Sequence, residues 1–295
     1  MAARPEAAAP ESAGRKRTRR LVGIGRRLLA AAVFVPCFLV ISWRGEHYFV
    51  LLVNLIVLTG LYEFYGLMRA KGLQPHELLG ASAGLLLPWA MYLRGGVYAG
   101  PTLVVLLIAA MASELWRRRV DQALAHIAVT TFGILYVGWL GGHLVLLREL
   151  PRLIGAPYAA GHRFVVFVFL VTWMSDTGAY LVGSLAGRHK LAPRISPSKS
   201  VEGACGGLVL AVVAGLCAAL TFVHREMTPA TGALLGALAA LCGQCGDLAE
   251  SLLKRDASVK DASGAIPGHG GALDRFDSIL FAAPLLYYVL RFAVV

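Results

Sequence analysis

Charge is what this chain has least of: Asp, Glu, Lys and Arg together make up 15% of its 295 residues, against roughly 25% in an ordinary soluble domain. Acids are the scarcer sign, 17 against 28 Lys and Arg. Cysteine is sparse too, and Cys37, Cys205, Cys217, Cys242 and Cys245 all fall inside apolar runs. Cys242-x-x-Cys245 has no second pair, and no histidine pair at ligand spacing, so it does not read as zinc; it lacks the strand-to-helix setting of a thiol redox motif. The five are expected to be small buried hydrophobes. No Walker A motif occurs, nor a G-x-G-x-x-G after a strand, which excludes the usual soluble nucleotide cradles. No Ser-His-Asp or Cys-His arrangement stands out. A cleavable secretory signal is also missing, because the apolar run after Arg27 passes through Trp43 and Arg44 without a small-x-small cleavage site.

What is present is apolar, 57% of residues with a mean hydropathy of +0.66. Runs close to the roughly 20 residues that span a bilayer as helix fall at about 28–43, 48–68, 78–93, 97–115, 124–147, 164–186, 203–223, 229–252 and 276–295. The expected fold is therefore an all-α polytopic membrane protein with about nine transmembrane helices. Residues 1–22, Ala/Pro/Glu-rich and then basic, read as a disordered tail; 23–160 read as N-terminal transmembrane helices and 161–295 as a C-terminal catalytic transmembrane domain. Gly232-x-x-x-Gly236 reads as a helix-packing face.

Counted over nine spans, twenty-one of the 28 Lys and Arg fall on the side of the N-terminus and seven on the other. The positive-inside rule then puts the N-terminus and the 187–202 and 253–275 loops in the cytoplasm. The net charge of +11 follows from basic loops beside anionic headgroups, and nucleic-acid binding is not needed to explain it. The Ala- and Arg-rich composition suits a bacterial cell (inner) membrane.

Against this background 251–277 is an anomaly, dense in acids and cations around a Pro-Gly-His-Gly-Gly turn. An ionisable group at bilayer depth costs roughly 2.5–3.5 kcal/mol on insertion scales, so such clusters mark wet, working cavities. Four patches belong together. Asp176, in Ser175-Asp176-Thr177-Gly178-Ala179-Tyr180, lies mid-span and is expected to point into the bundle, unless it only bonds a neighbouring helix. The loop holding Arg188, Ser196, Pro197, Ser198, Lys199 and Ser200 offers hydroxyls, backbone N–H groups and charge for a phosphate, with topology alone as the plainer reason for its basicity. Asp247, Glu250, Ser251 and Lys254 recur at i, i+3, i+4 and i+7 and share one helix face; a solvated ion-pair ladder is the rival reading. Finally, Pro267-Gly268-His269-Gly270-Gly271 lets a backbone approach a ligand, and Asp274 and Asp277 open the last span on one face. Few carboxylates completed by water and phosphate oxygens are the usual protein share of a Mg²⁺ site. The whole suits phosphoryl or nucleotidyl transfer by positioning and charge neutralisation, with a lipid as one substrate.

These residues resemble a known family. Ser251-x-Leu253-Lys254-Arg255-x4-Lys260-Asp261, then Ile266-Pro267-Gly268-His269-Gly270-Gly271, then Leu273-Asp274-Arg275-Phe276-Asp277 is similar to the signature of phosphatidate cytidylyltransferases (CDP-diacylglycerol synthases). The patches at 175–180, 196–203 and 246–251 agree in the same order, the likeness runs over about 165–290, and upstream only Glu63-Phe64 looks familiar. Ala272 stands where the family usually has a larger aliphatic residue.

The resemblance implies transfer of cytidylyl from CTP to phosphatidate with Mg²⁺, and a second metal ion is left open. It implies Asp247 and Asp274 as metal ligands, with Asp277 and Asp176 as further carboxylates. Lys254, Arg255, Lys260 and Arg275 would neutralise phosphates, His269 would bind or handle a proton, and Ser196, Lys199, Ser200, Gly270 and Gly271 would hold substrate. The partners are CTP, phosphatidate and membrane lipids, with homodimerisation left open. Two rivals remain: a CTP-dependent lipid kinase, which would release CDP, and an ion-coupled transporter, which would more often show inverted repeats and would release neither CDP nor pyrophosphate.

Overall fold

The computed structural model describes residues 32–117, 121–259 and 271–292. Its helices are α1 (Ala32–Arg44), α2 (Glu46–Ala70), α3 (Glu77–Tyr92), α4 (Ala99–Leu115), α5 (Ala123–Gly133), α6 (Leu140–Ile154), α7 (Ala159–Ala186), α8 (Val201–Leu220), α9 (Pro229–Asp256) and α10 (Leu273–Phe292). The basic tail expected at 1–22 lies outside the described residues. The described residues divide into two units between Val40 and Ile41, the second of which holds all of α2 to α10.

The all-α expectation holds for the transmembrane part. Five described helical stretches are long and apolar enough to cross a membrane: Glu46–Ala70, Ala123–Ile154, Ala159–Ala186, Val201–Leu220 and Pro229–Asp256. Large apolar side chains such as Leu55, Leu78, Leu115, Leu124 and Leu185 stand exposed on helix faces, as a lipid solvent permits. The run expected over 124–147 is one stretch of 32 residues, in which α5 and α6 are joined by a π-helical segment, Ile134–Trp139.

Two expectations are corrected. The segment read as a loop at 187–202 contains an antiparallel hairpin, β1 (Lys190–Ala192) with β2 (Ser196–Ser200). Glu202 organises its entry, accepting from the backbone N–H groups of Arg188 and His189 at 3.0 and 3.2 Å. None of the five cysteines is fully buried either: Cys37, Cys205, Cys217 and Cys245 are exposed and Cys242 is half-buried. A free thiol is apolar enough to face lipid as readily as protein.

Capping explains where the C-terminal helices begin. Ser200 accepts from the N–H of Gly203 at 3.1 Å to start α8, and Thr228 accepts from Thr231 at 3.2 Å ahead of Pro229 at the head of α9, both favoured arrangements. α9 ends at Asp256, and Ser258 beyond it, with a φ of 57°, turns the chain so that Val259 N–H donates to Lys254 O at 2.9 Å. In the bundle α7 packs on α8, α8 on α9, and α9 on α10, which also rests on α6. Phe164, Val168, Val171, Ile279, Ala283 and Leu286 are among the buried residues there.

Candidate active site

The polar residues converge because glycine lets two helices touch. A Cβ at Gly246 would lie 2.5 Å from the carbonyl oxygen of Asp277, far inside van der Waals contact, so α9 and α10 meet backbone to backbone. Asp247, next along, is thereby brought to Asp277, and Glu250 one turn further joins them: one carboxylate oxygen from each lies within 4.8 Å of the others. Glu250 is fully buried and Asp277 nearly so. Gly246→Val is accordingly expected to lower the thermal midpoint in detergent and to abolish turnover, since overpacking costs about 1–3 kcal/mol; an unchanged midpoint in a thermal melt would contradict this approach of α9 to α10.

Carboxylates so close repel one another, and cations are seated among them. Lys199 Nζ, from β2, lies 2.5 Å from Asp247 Oδ2. Lys254 Nζ lies 2.5 Å from Glu250 Oε2 and 2.6 Å from Asp274 Oδ1. Asp274 Oδ2 accepts from the Gly271 N–H at 2.8 Å, and Asp277 Oδ1 from the Ser278 N–H at 2.6 Å. The Tyr136 hydroxyl is buried with no hydrogen-bond partner among the described residues, while Glu250 is engaged with Lys254 and neighbours Asp274. Tyr136 sits in the π-helical segment, a distortion often found beside functional sites, and its hydroxyl has Glu250, Asp277, Asp247 and Asp274 as electrostatic neighbours. A buried hydroxyl left unpaired beside three carboxylates at mutual ligand spacing fits a hard divalent cation whose shell is completed by water or phosphate.

On the other side of Asp247 opens a cavity of about 390 Å³ lined by Asp176, Tyr180, Ser198, Lys199, Gln244 and Asp247, among others. Its size lies within the roughly 300–1,000 Å³ of small-molecule sites. Small and apolar residues from α7 and α8, with Asp176, Lys199 and Asp247 among the lining, suit an amphiphilic or phosphorylated ligand.

Of the carboxylates expected as metal ligands, Asp247 and Asp277 come together. Asp274 is engaged with Lys254 and Gly271, and Asp176 stands in the cavity wall with Asp247. Glu250, known from the sequence only as a residue of the same face, completes the trio. Ser196 is buried with Oγ 3.4 Å from Ser198 Oγ. Ser200 lines the cavity while capping α8. Arg255 donates through Nε to Ile195 O at 3.1 Å, tying the end of α9 to the hairpin. Arg275 is exposed in the first turn of α10. Lys260, His269 and Gly270 lie outside the described residues. Tyr136 gave no signal in the sequence, where it is one aromatic residue in an apolar run; Glu63 stood out there only in the familiar Glu63-Phe64 pair.

Fold and site together define a class: a helical membrane protein whose C-terminal helices carry a carboxylate–lysine centre beside a cavity. Within that class the chain belongs to the cytidylyltransferase family, whose model matches residues 25–293. It is 33% identical over 279 residues to the phosphatidate cytidylyltransferase of Bacillus subtilis (strain 168), covering 92% of this chain and 98% of that protein. It is 32% identical over 286 residues to the phosphatidate cytidylyltransferase of Synechocystis sp. (89% and 95%), and 32% identical over 274 residues to that of Staphylococcus aureus (strain COL) (90% and 98%).

Proposed function

We propose that this protein transfers the cytidylyl group of CTP to phosphatidate, giving CDP-diacylglycerol and pyrophosphate, at the cytoplasmic face of a bacterial cell membrane. The observation that carries this reading is the Asp247–Glu250–Asp277 cluster flanked by Lys199 and Lys254, in a chain matched over nearly its whole length by the family model. A phosphate oxygen of phosphatidate bonds to the α-phosphorus of CTP while the bond from that phosphorus to the bridging oxygen breaks, and pyrophosphate leaves with the electron pair. The nucleophile is already anionic at neutral pH, so no side chain need remove a proton. What the chain must do is bring two polyanions together, and that calls for fixed positive charge aimed at the phosphates.

Asp247, Glu250 and Asp277 would hold Mg²⁺, with Asp274 beside them. When bound, the cation neutralises phosphate charge and orients the α-phosphate. Lys199, already against Asp247, and Lys254, between Glu250 and Asp274, are placed to exchange carboxylate for phosphate partners as substrate arrives. The cavity lined by Asp176, Ser198, Lys199 and Ser200 would receive one substrate. Lys260, His269, Arg275 and Gly270 belong to the same reading as phosphate-binding and loop residues.

The nine expected spans correspond to α1, α2, α3, α4, the α5–α6 stretch, α7, α8, α9 and α10, with the N-terminus inside. α3, at 16 residues, is about 24 Å long at 1.5 Å per residue, and local thinning of the bilayer would accommodate it. Purified protein given phosphatidate, labelled CTP and Mg²⁺ is expected to move cytidine label into the lipid phase with one pyrophosphate per turnover. Release of CDP with phosphate appearing on lipid would establish a lipid kinase instead, and neither product would leave the transporter reading.

A further inference from the structure

Glu63 lies in α2, far in sequence from the site, yet its carboxylate reaches the head of α10. Oε1 accepts from the N–H of Ala272 at 2.9 Å, and Oε2 accepts from the N–H of Leu273 at 2.7 Å, across 210 residues of sequence. The side chain is buried. A Cβ at Gly271 would lie 2.5 Å from Glu63 Oε2, so the absence of a side chain there is what admits the carboxylate. The first N–H groups of a helix have no partner within it and are ordinarily capped by a residue just upstream. Here Gly271 N–H is taken by Asp274, and the next two are taken by a charged side chain from another helix.

We infer that Glu63 is a positioning residue for the reaction: by clamping the N-terminus of α10 it fixes the rotation and depth of the helix that carries Asp274 and Asp277. One residue of slippage turns a helix by about 100°, which would carry Asp277 away from Asp247 and Glu250 altogether. A carboxylate suits the task because both oxygens accept, the helix N-terminus is electropositive, and its contacts fix one register of the backbone. An ordinary local cap would satisfy the same N–H groups without setting where α10 sits against α2. The inference rests on the reading of Asp277 as a cation ligand.

The test uses the full-length protein in detergent and compares Glu63→Gln, Glu63→Asp and Asp277→Asn. Glu63→Gln turns an NH₂ donor against one of two backbone N–H groups; Glu63→Asp keeps the charge but is one methylene shorter. Mn²⁺ binding is followed by electron paramagnetic resonance without nucleotide, and kcat and KM for CTP are measured across Mg²⁺ concentrations. Glu63→Gln is expected to weaken Mn²⁺ binding and lower kcat by about 10–100-fold, the usual effect of losing a residue that orients a ligand, with KM for CTP within about threefold at saturating Mg²⁺. Glu63→Asp is expected to fall between Glu63→Gln and the parent, and it carries the test if Glu63→Gln does not reach the membrane. Mn²⁺ affinity equal to the parent's in the Glu63 variants, whether or not they melt earlier, would overturn the inference and leave a structural clasp. If Asp277→Asn also binds Mn²⁺ as the parent does, the cation reading of Asp277 fails first; if Asp277→Asn alone weakens binding, only the role of Glu63 fails.

Discussion

Asp247→Asn is expected to enter the membrane and fold as the parent does, yet to move cytidylyl groups at least about 100-fold more slowly, a loss at or beyond that of removing an outer partner of a metal ligand. Asn is nearly isosteric, so the approach of α9 to α10 at Gly246 is undisturbed. The stability cost is expected to be about 1 kcal/mol or less, because Asp247 and its partner Lys199 are both partly open to water and such pairs are screened. What is lost is the one carboxylate shared by both halves of the site: it stands with Glu250 and Asp277 at ligand spacing and lines the cavity with Asp176 and Lys199. The measurement is label transfer from CTP to lipid, with the Mg²⁺ concentration for half-maximal rate read alongside and expected to rise. Turnover within about threefold of the parent, at an unchanged Mg²⁺ requirement, would remove Asp247 from the centre of the site.

Lys254→Met should act on stability as well as on rate. Lys254 lies between Glu250, which is 1% exposed, and Asp274, which is 18% exposed, and is itself 13% exposed. Removing the cation from a buried arrangement leaves carboxylates uncompensated, at a cost of about 3–5 kcal/mol, and these two are also neighbours of each other. The thermal midpoint in detergent is expected to fall by several degrees and cytidylyl transfer by at least about 100-fold, a loss typical of deleting one group that stabilises developing charge. A second change separates the effects: Lys254→Met with Glu250→Gln should recover much of the stability, because the repulsion is relieved, without recovering activity. Lys254→Arg should keep the charge but fit poorly, since a planar guanidinium does not replace a compact ammonium between two carboxylates. A single Lys254→Met variant as stable as the parent would mean that Glu250 and Asp274 do not depend on this lysine.

Much of the fold was legible in the sequence. The hydrophobic runs at 48–68, 164–186, 203–223 and 229–252 match α2, α7, α8 and α9 to within a few residues, because apolar runs of that length become helices wherever water cannot satisfy the backbone. The sharing of one face by Asp247, Glu250 and Lys254 followed from helical periodicity alone. The hairpin at 190–200 was not legible: Ser-Pro-Ser-Lys-Ser carries little apolar alternation, and the Glu202 that fixes the chain at its entry comes from the helix after it. Nor was the π-helical segment that sets Tyr136 against the site, since nothing in Ile134–Trp139 distinguishes it from ordinary helix.

Local chemistry therefore determined the class of the chain, the family resemblance, and an inventory of carboxylates and lysines in its C-terminal half, since composition and period depend only on neighbours along the chain. Only the tertiary structure decided that Asp247, Glu250 and Asp277 meet while Asp274 turns to Lys254 and Gly271, that Lys199 reaches in from a hairpin, and that Glu63 holds the head of α10. Those contacts join residues far apart in sequence. They exist because glycines at 246 and 271 allow backbones and carboxylates to approach where any side chain would keep them apart.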